Sequence, residues 1–157
     1  MSKSVLFVCM GNICRSPTGE GVLLAMIQRR GLETEVMVDS AGTINYHAGN
    51  RADSRMRAAA TQRGYDLQSR ARQVTTTDLD TFDLVVAMDT DNFRDLQAMA
   101  SSPSAELRML SDFLDAEQWP KDVPDPYYEG GFDFVLEMVE AACPAILAHL
   151  GFADAKD

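Results

Sequence analysis

Two reactive side chains, with five residues between them, lie near the start of this 157-residue chain. Cys9 and Arg15 bracket residues 10–14, in which Gly11 and Asn12 are types that tolerate unusual backbone angles. A loop of this composition can turn its N–H groups inward and form an anion-binding nest. A thiolate attacks phosphorus readily, and a planar guanidinium can grip two phosphoryl oxygens. The pattern therefore favours a loop that holds a phosphate over the sulfur of Cys9.

The segments on either side of this loop indicate a strand followed by a helix. Residues 4–9 are a short apolar run, typical of a strand that is covered on both faces. Ser16 and Pro17 are favoured as the N-cap and first residue of a helix, and Gly31 is expected as its C-cap. A helix N-terminus attracts anions and stabilises a nearby thiolate. The spacing alone is weak evidence, because a buried cysteine and a surface arginine can be so spaced by accident, but this context makes coincidence implausible.

The remaining chain alternates strands with helices, which predicts a parallel α/β sheet in a single domain spanning residues 1–157. After the first helix, the predicted elements are a strand at 35–39, a helix at 51–63, a helical turn at 77–81, a strand at 82–88, a helix at 89–100 capped by its acidic start, a strand at 106–110, a turn-rich segment at 111–131 and a long helix at 132–150.

The overall charge excludes some classes of partner. The formal net charge is −10 and the pI is near 4.5, which argues against binding to nucleic acid or to an anionic membrane. A single phosphate is still compatible with this charge, because salt screens distant surface charges beyond about 8 Å. No apolar run approaches the roughly 20 residues of a membrane helix, and the N-terminus does not resemble a signal peptide. We therefore expect a cytoplasmic protein.

Cysteine and histidine usage argues against a disulfide framework and a metal site. The sequence has three cysteines, an odd and low number for a secreted disulfide-rich protein. Cys143 lies in a helix-like stretch and is expected to be a small core residue. His47 and His149 show no ligand spacing to each other or to the cysteines. No metal and no cofactor are expected.

A phosphate-transfer site also needs an acid to protonate the leaving oxygen. Asp125 is the best candidate, because Pro126 stiffens its loop and the aromatic residues Tyr127 and Tyr128 follow. The alternative is a plain turn, since Pro-Asp-Pro is turn chemistry. The 24 acidic residues of the chain offer many rivals for this role.

Several segments together resemble the low-molecular-weight protein tyrosine phosphatase family. They are residues 8–17, 39–43, 71–73, 88–89 and 125–128, and they follow the family's order over nearly the whole chain. The resemblance implies a four-stranded parallel sheet with helices on both faces. It also implies two-step hydrolysis of phosphotyrosine through a cysteinyl-phosphate, without metal. The expected partner is a tyrosine-phosphorylated protein, with a tyrosine kinase and a host protein both open, and the expected state is a monomer or weak dimer.

The resemblance also assigns roles to individual residues. Cys9 is similar to the nucleophile, Arg15 to the phosphate binder and Asp125 to the general acid that later acts as a base. Cys14 matches a second loop cysteine that forms a reversible disulfide with the nucleophile, and its alternative is an inert buried thiol. Asn12, Ser16 and Ser40 resemble the hydrogen-bond network that shapes the loop, Gly11 is part of the loop, and Met10, Ile13, Tyr46, Tyr127 and Tyr128 match positions that line the substrate cleft.

The sequence departs from the family pattern at some positions, and two alternative functions have to be weighed. Ser69 stands where many members have a histidine that supports the loop, and Ser54 replaces a proline. Ile13 favours phosphotyrosine, because the arginine-phosphatase branch tends to carry threonine there. A thiol-dependent arsenate reductase of the same fold would need a pair of resolving cysteines, whereas Cys143 stands alone. A non-catalytic phosphate-binding module would be expected to lack the nucleophile or the acid.

Overall fold

Four parallel strands form one sheet in the part of the chain that the computed structural model describes, residues 2–100 and 102–153. Residues 1, 101 and 154–157 of the predicted domain lie outside the described residues. The strands are β1 (Lys3–Cys9), β2 (Val36–Gly42), β3 (Leu84–Ala87) and β4 (Glu106–Met109), in the spatial order β2-β1-β3-β4. Since β1 lies inside the sheet with both faces covered, its central residues are uniformly apolar.

Helices cover both faces of the sheet. They are α1 (Arg15–Arg29), α2 (Ser54–Gln62), α3 (Thr76–Thr81), α4 (Thr90–Met99), α5 (Pro126–Glu129) and α6 (Phe132–His149), with a 3₁₀ turn at Leu110–Phe113. Val5 and Phe7 point into a core shared with α1 and α6. Leu6 and Val8 point into a second core shared with α3 and α4. The predicted four-stranded α/β architecture is confirmed, and Cys143 is fully buried in α6 as expected.

The second strand is longer than predicted. β2 pairs in parallel with β1 over its whole length, and its last residues Ser40, Ala41 and Gly42 lie opposite Phe7, Val8 and Cys9. Ser40 and Gly42 thereby lie beside the start of the Cys9 loop. A Cβ atom at Gly42 would lie 2.7 Å from the carbonyl oxygen of Met10. Glycine is therefore required here for the loop to pass this close to the strand.

The predicted caps of the first helix are wrong by one or two residues. α1 begins at Arg15, and Cys14, not Ser16, is its N-cap. The reason is that the loop continues directly into the helix, so the hydroxyl of Ser16 is used by the loop and not as a cap. At the other end, Arg30 is the C-cap, and Gly31 follows it with φ +67° in the left-handed conformation that ends many helices.

Other boundaries shift for local reasons. α2 begins at Ser54 and not at residue 51, because the side chain of Asp53 accepts the backbone N–H of Arg55 and caps the helix there. The turn-rich segment at 111–131 also contains α5, which is capped by Asp125. α6 continues through Pro144. No helix within the described ranges has both the length and the apolar character to span a membrane.

Candidate active site

A cavity opens at the carboxyl edge of the sheet, beside the end of β1. The chain places β2 on one side of β1 and β3 on the other, which makes this edge a topological switch point where α/β proteins bind ligands. Cys9 is the last residue of β1. The cavity has a volume of about 420 Å³ and is lined by Cys9, Met10, Gly11, Ile13, Cys14, Arg15, Ile44, Tyr46, His47, Asp125, Tyr127 and Tyr128.

The cavity brings together most of the residues that the sequence singled out. Asn12, which belongs to the Cys9 loop (residues 9–15), and its neighbours Ser16 and Ser40 are buried and do not line the cavity. Ile44 and His47 line it although the residue pattern did not predict them. Both belong to the loop that carries Tyr46, so the position of this tyrosine could have pointed to its neighbours.

The sulfur of Cys9 lies against the first turn of α1. The hydroxyl oxygen of Ser16 is 3.0 Å from this sulfur, and the backbone N–H of Ser16 donates to it at 3.4 Å. When the sulfur is a thiolate it can only accept, so the hydroxyl must then donate. The exposed donors of a helix N-terminus favour negative charge at this position. The hydroxyl and the backbone N–H of Ser16 can thus both donate to this sulfur.

Asn12 fixes the shape of the Cys9 loop. Its backbone is left-handed, with φ +58°, a conformation that asparagine adopts more easily than most residues. Its side-chain amide donates to the hydroxyls of Ser16 at 2.7 Å and Ser40 at 3.0 Å. The side-chain oxygen of Asn12, Oδ1, accepts the backbone N–H of Arg72 at 3.0 Å. The side chain thereby ties the loop to α1, to β2 and to the segment before α3.

Glu20 extends this network by one further bond. The hydroxyl of Ser40 donates to a carboxylate oxygen of Glu20 at 2.6 Å. Burial raises the pKa of Glu20, the bond from Ser40 opposes this shift, and the charge of Asp39 adds to it. Glu20 was not predicted. It lies on a helix, and the sequence around it does not reveal that its partner is on another element.

Arg15 is held in a buried position by oxygen atoms from distant parts of the chain. Its side chain is 3% exposed. One terminal nitrogen donates to Asp89 at 2.6 Å and to the carbonyl of Val123 at 3.1 Å, and the other lies 3.6 Å from a carboxylate oxygen of Asp125. Burial lowers the pKa of Arg15, but the charges of Cys9, Asp89 and Asp125 outweigh it and raise the pKa above its usual value. The guanidinium is therefore charged and pre-oriented.

Asp125 lies at the mouth of the cavity on a well-anchored loop. Its side chain is 35% exposed, and one oxygen accepts the backbone N–H of Tyr127 at 3.1 Å as the cap of α5. Upstream, Asp122 accepts the hydroxyl and the backbone N–H of Thr90, and the N–H of Val123 donates to Met88. We call residues 122–128 the Asp125 loop. These anchors hold its carboxylate close to Arg15.

Aromatic rings form the rim of the cavity. Tyr46 and Tyr128 are 82% and 80% exposed, which is unusual for large side chains without a partner surface. The rings of Tyr46 and His47 meet edge to face at 4.9 Å, as do those of Tyr127 and Tyr128. Such walls suit a flat aromatic group, because rings prefer offset and edge-to-face contacts.

The second cysteine of the loop has a different environment from the first. Burial raises the pKa of the Cys14 thiol, and the negative charges of Asp53, Cys9 and Asp125 raise it further. Cys14 therefore remains a thiol at neutral pH. The three cysteines of the sequence all lie in the described ranges, and all are free. Among the described residues, no group of three or more His, Cys, Asp or Glu is placed to hold a metal ion.

Comparisons with known proteins identify the family. The family model described as low molecular weight phosphotyrosine protein phosphatase matches residues 4–155. The chain belongs to this family. It is thus a protein tyrosine phosphatase of the low molecular weight class, a phosphoric monoester hydrolase, and the resemblance predicted from its segments is confirmed.

Relatives of this phosphatase match it over almost their full length. A low molecular weight protein-tyrosine-phosphatase of Streptomyces coelicolor is 44% identical, with 94% of this chain and 93% of the relative covered. YfkJ of Bacillus subtilis, named in the same way, is 38% identical, with 94% and 95% covered. A crystal structure of a protein tyrosine phosphatase from Entamoeba histolytica, with Hepes in its active site, superposes with a TM-score of 0.91 at 40% identity and covers 96% of this chain and 97% of its own.

Proposed function

We propose that this phosphatase hydrolyses phosphotyrosine in proteins by two displacements at phosphorus. Cys9 is the nucleophile, Arg15 binds the phosphoryl oxygens and Asp125 is the general acid and then the base. The observation that carries this proposal is that the three side chains line one cavity with an aromatic rim. Each element of the mechanism then has a physical basis in the contacts of these residues.

In the first step the Cys9 thiolate attacks phosphorus while the bond to the tyrosine oxygen breaks. The carboxylic acid of Asp125 gives its proton to the departing oxygen, which leaves as a neutral phenol. Negative charge on the transferring group is met by the guanidinium of Arg15 and by the N-terminus of α1. Because Asp89 and the carbonyl of Val123 already orient the guanidinium, little reorganisation is needed as this charge develops.

In the second step water attacks the phosphorus of the cysteinyl-phosphate and the bond to sulfur breaks. The carboxylate of Asp125 accepts a proton from this water. Ser16 donates hydrogen bonds from its hydroxyl and its backbone N–H to the departing sulfur, for which the distances of 3.0 and 3.4 Å are suitable. The products are inorganic phosphate and the free thiolate, so the enzyme is ready for another cycle.

The cavity supports an aromatic substrate. Tyr46, Tyr127 and Tyr128 can flank the ring of phosphotyrosine, while Ile13 adds an apolar contact below it. A tyrosine-phosphorylated protein is the proposed partner, and a tyrosine kinase is one such protein. The free thiols fit a cytoplasmic location, and we propose a monomer or weak dimer.

An arsenate reductase function is less well supported. That activity would need a pair of resolving cysteines on a mobile segment in the second half of the chain, where the sequence has Cys143 alone, and Cys143 is fully buried in α6. A non-catalytic phosphate-binding module is also disfavoured, because the nucleophile and the acid line the same cavity.

A substrate panel with Cys9→Ser tests the nucleophile and the substrate class together. The wild-type enzyme should hydrolyse phosphotyrosine peptides, with phosphoserine and phosphoarginine peptides and arsenate reduction measured alongside. Cys9→Ser should abolish hydrolysis and keep inorganic phosphate binding, because serine keeps the loop but is a far weaker nucleophile. Substantial hydrolysis by Cys9→Ser would rule out the covalent mechanism. Faster turnover of phosphoarginine or of arsenate would reassign the substrate.

Replacement of the acid tests the role of Asp125. Asp125→Ala should lower kcat/KM by about 10²–10⁴-fold for substrates with poor leaving groups, because the leaving oxygen then departs without a proton. Phenyl phosphate is a suitable substrate, and Glu129→Ala is a matched control that removes a nearby exposed carboxylate outside both the cavity and the Asp125 loop. A loss below tenfold with phenyl phosphate would show that another residue supplies the proton.

Cys14 can protect the nucleophile from irreversible oxidation. We propose that peroxide converts the Cys9 thiolate to a sulfenic acid, which condenses with the Cys14 thiol to a disulfide and water. Both residues line the same cavity, and loss of the Cys9 charge on oxidation removes one of the interactions that raise the pKa of Cys14. Mass spectrometry after peroxide treatment should find a Cys9–Cys14 disulfide that dithiothreitol reverses. Finding only sulfinic or sulfonic Cys9 would identify Cys14 as an inert buried thiol.

A further inference from the structure

The start of α2 connects the two halves of the cavity. The backbone N–H of Asp53 donates to the carbonyl of Ile13 in the Cys9 loop at 2.8 Å. Two residues later, a terminal nitrogen of Arg55 donates to the carbonyl of Tyr127 in the Asp125 loop at 3.0 Å. The two loops are over a hundred residues apart in sequence. Residues 53–55 therefore form a short bridge between the loop of the nucleophile and the loop of the acid.

A bidentate ion pair between Arg55 and Asp53 holds the bridge together. The guanidinium of Arg55 donates to both carboxylate oxygens of Asp53, at 3.0 and 2.8 Å, and the backbone N–H of Arg55 donates to the same carboxylate at 2.8 Å. The guanidinium carbon also lies 5.5 Å from the ring centre of Tyr127 and 5.0 Å from that of Phe132. Arginine is suited to this site because its planar fork can pair with a carboxylate and stack on rings at once.

The contact with Tyr127 lies just downstream of the acid. Asp122 and Val123 anchor the Asp125 loop on its upstream side, through Thr90 and Met88. The N–H of Tyr127 binds one carboxylate oxygen of Asp125, while its carbonyl is held by Arg55. The peptide groups on both sides of Tyr127 thus link Arg55 to the orientation of the Asp125 carboxylate.

We propose that Arg55 is a positioning residue that sets the reach of Asp125 to the leaving-group oxygen. The proposal rests on the proposed function, since it concerns the proton that Asp125 delivers. Arg55 itself does not line the cavity, so it acts through the Asp125 loop and not on the phosphate. Small displacements of a proton donor cost rate, because proton transfer needs hydrogen-bonding distance to the leaving oxygen.

The test measures kcat/KM for aryl phosphates with different leaving groups in the variant Arg55→Met. This variant keeps an apolar side chain against the rings and removes the guanidinium. For phenyl phosphate, whose poor leaving group needs the proton, kcat/KM should fall by about tenfold or more. For 2,4-dinitrophenyl phosphate, which departs without a proton, kcat/KM should change by less than about threefold. Arg55→Lys keeps the charge but cannot form the bidentate pair, so its values should lie between Arg55→Met and the wild type.

Two controls separate positioning from general damage. Arg57 lies on the same helix but donates to the carbonyl of Ala52, so Arg57→Met should leave the dependence on leaving group unchanged. In an Asp125→Ala background, Arg55→Met should cause no further loss with phenyl phosphate, because the group that it positions is absent. Inhibition by inorganic phosphate should be similar in all Arg55 variants.

Either of two results would overturn the proposal. One is an equal loss for both leaving groups, which would assign Arg55 to folding or binding. The other is a full loss that persists in the Asp125→Ala background. Failure of the proposed function would appear separately, as hydrolysis by Cys9→Ser, and that readout does not depend on Arg55.

Discussion

The left-handed turn at Asn12 is the constraint on which the site depends. This backbone conformation costs an L-residue on the order of 1 kcal/mol, and the three hydrogen bonds of the Asn12 side chain offset that cost. Its partners come from α1, from β2 and from the segment before α3, so the loop is rigid only when these elements are assembled. Because the same amide holds Ser16, the turn also places the hydroxyl that contacts the Cys9 sulfur. The fold and the proposed nucleophile, Cys9, are therefore coupled through one side chain.

The features that the sequence could predict are the local ones. A buried strand, a loop with glycine and asparagine, and the start of a helix follow one another within residues 4–17, and this order alone indicates an anion site beside a thiol. The alternation of strands and helices similarly indicates the parallel sheet. Ser16 is instructive, because Ser-Pro is a typical helix start. In the structure, however, the loop uses its hydroxyl, and the helix begins two residues earlier than predicted, at Arg15.

The features that the sequence could not predict depend on contacts between distant segments. Arg15 contacts Asp89 and the carbonyl of Val123, 74 and 108 residues away, and a backbone carbonyl carries no residue-type information. The extension of β2 to Gly42 follows from its register with β1 and not from its own composition. Glu20 and Arg55 look like ordinary polar residues on helices. Their contacts with Ser40 and Tyr127 appear only when the sheet brings the Cys9 loop, β2 and the Asp125 loop together at one edge.

Transfer of the phosphoryl group to Cys9 is tested most directly by trapping the cysteinyl-phosphate. Asp125→Ala with 2,4-dinitrophenyl phosphate should form the intermediate, because this leaving group needs no acid, and should break it down slowly without a base. A denaturing quench during turnover, followed by mass spectrometry, should find one phosphoryl group on the peptide that contains Cys9 and none in a Cys9→Ser, Asp125→Ala double variant. Continued turnover with no phosphorylated peptide, or a phosphoryl group on another residue, would contradict the account.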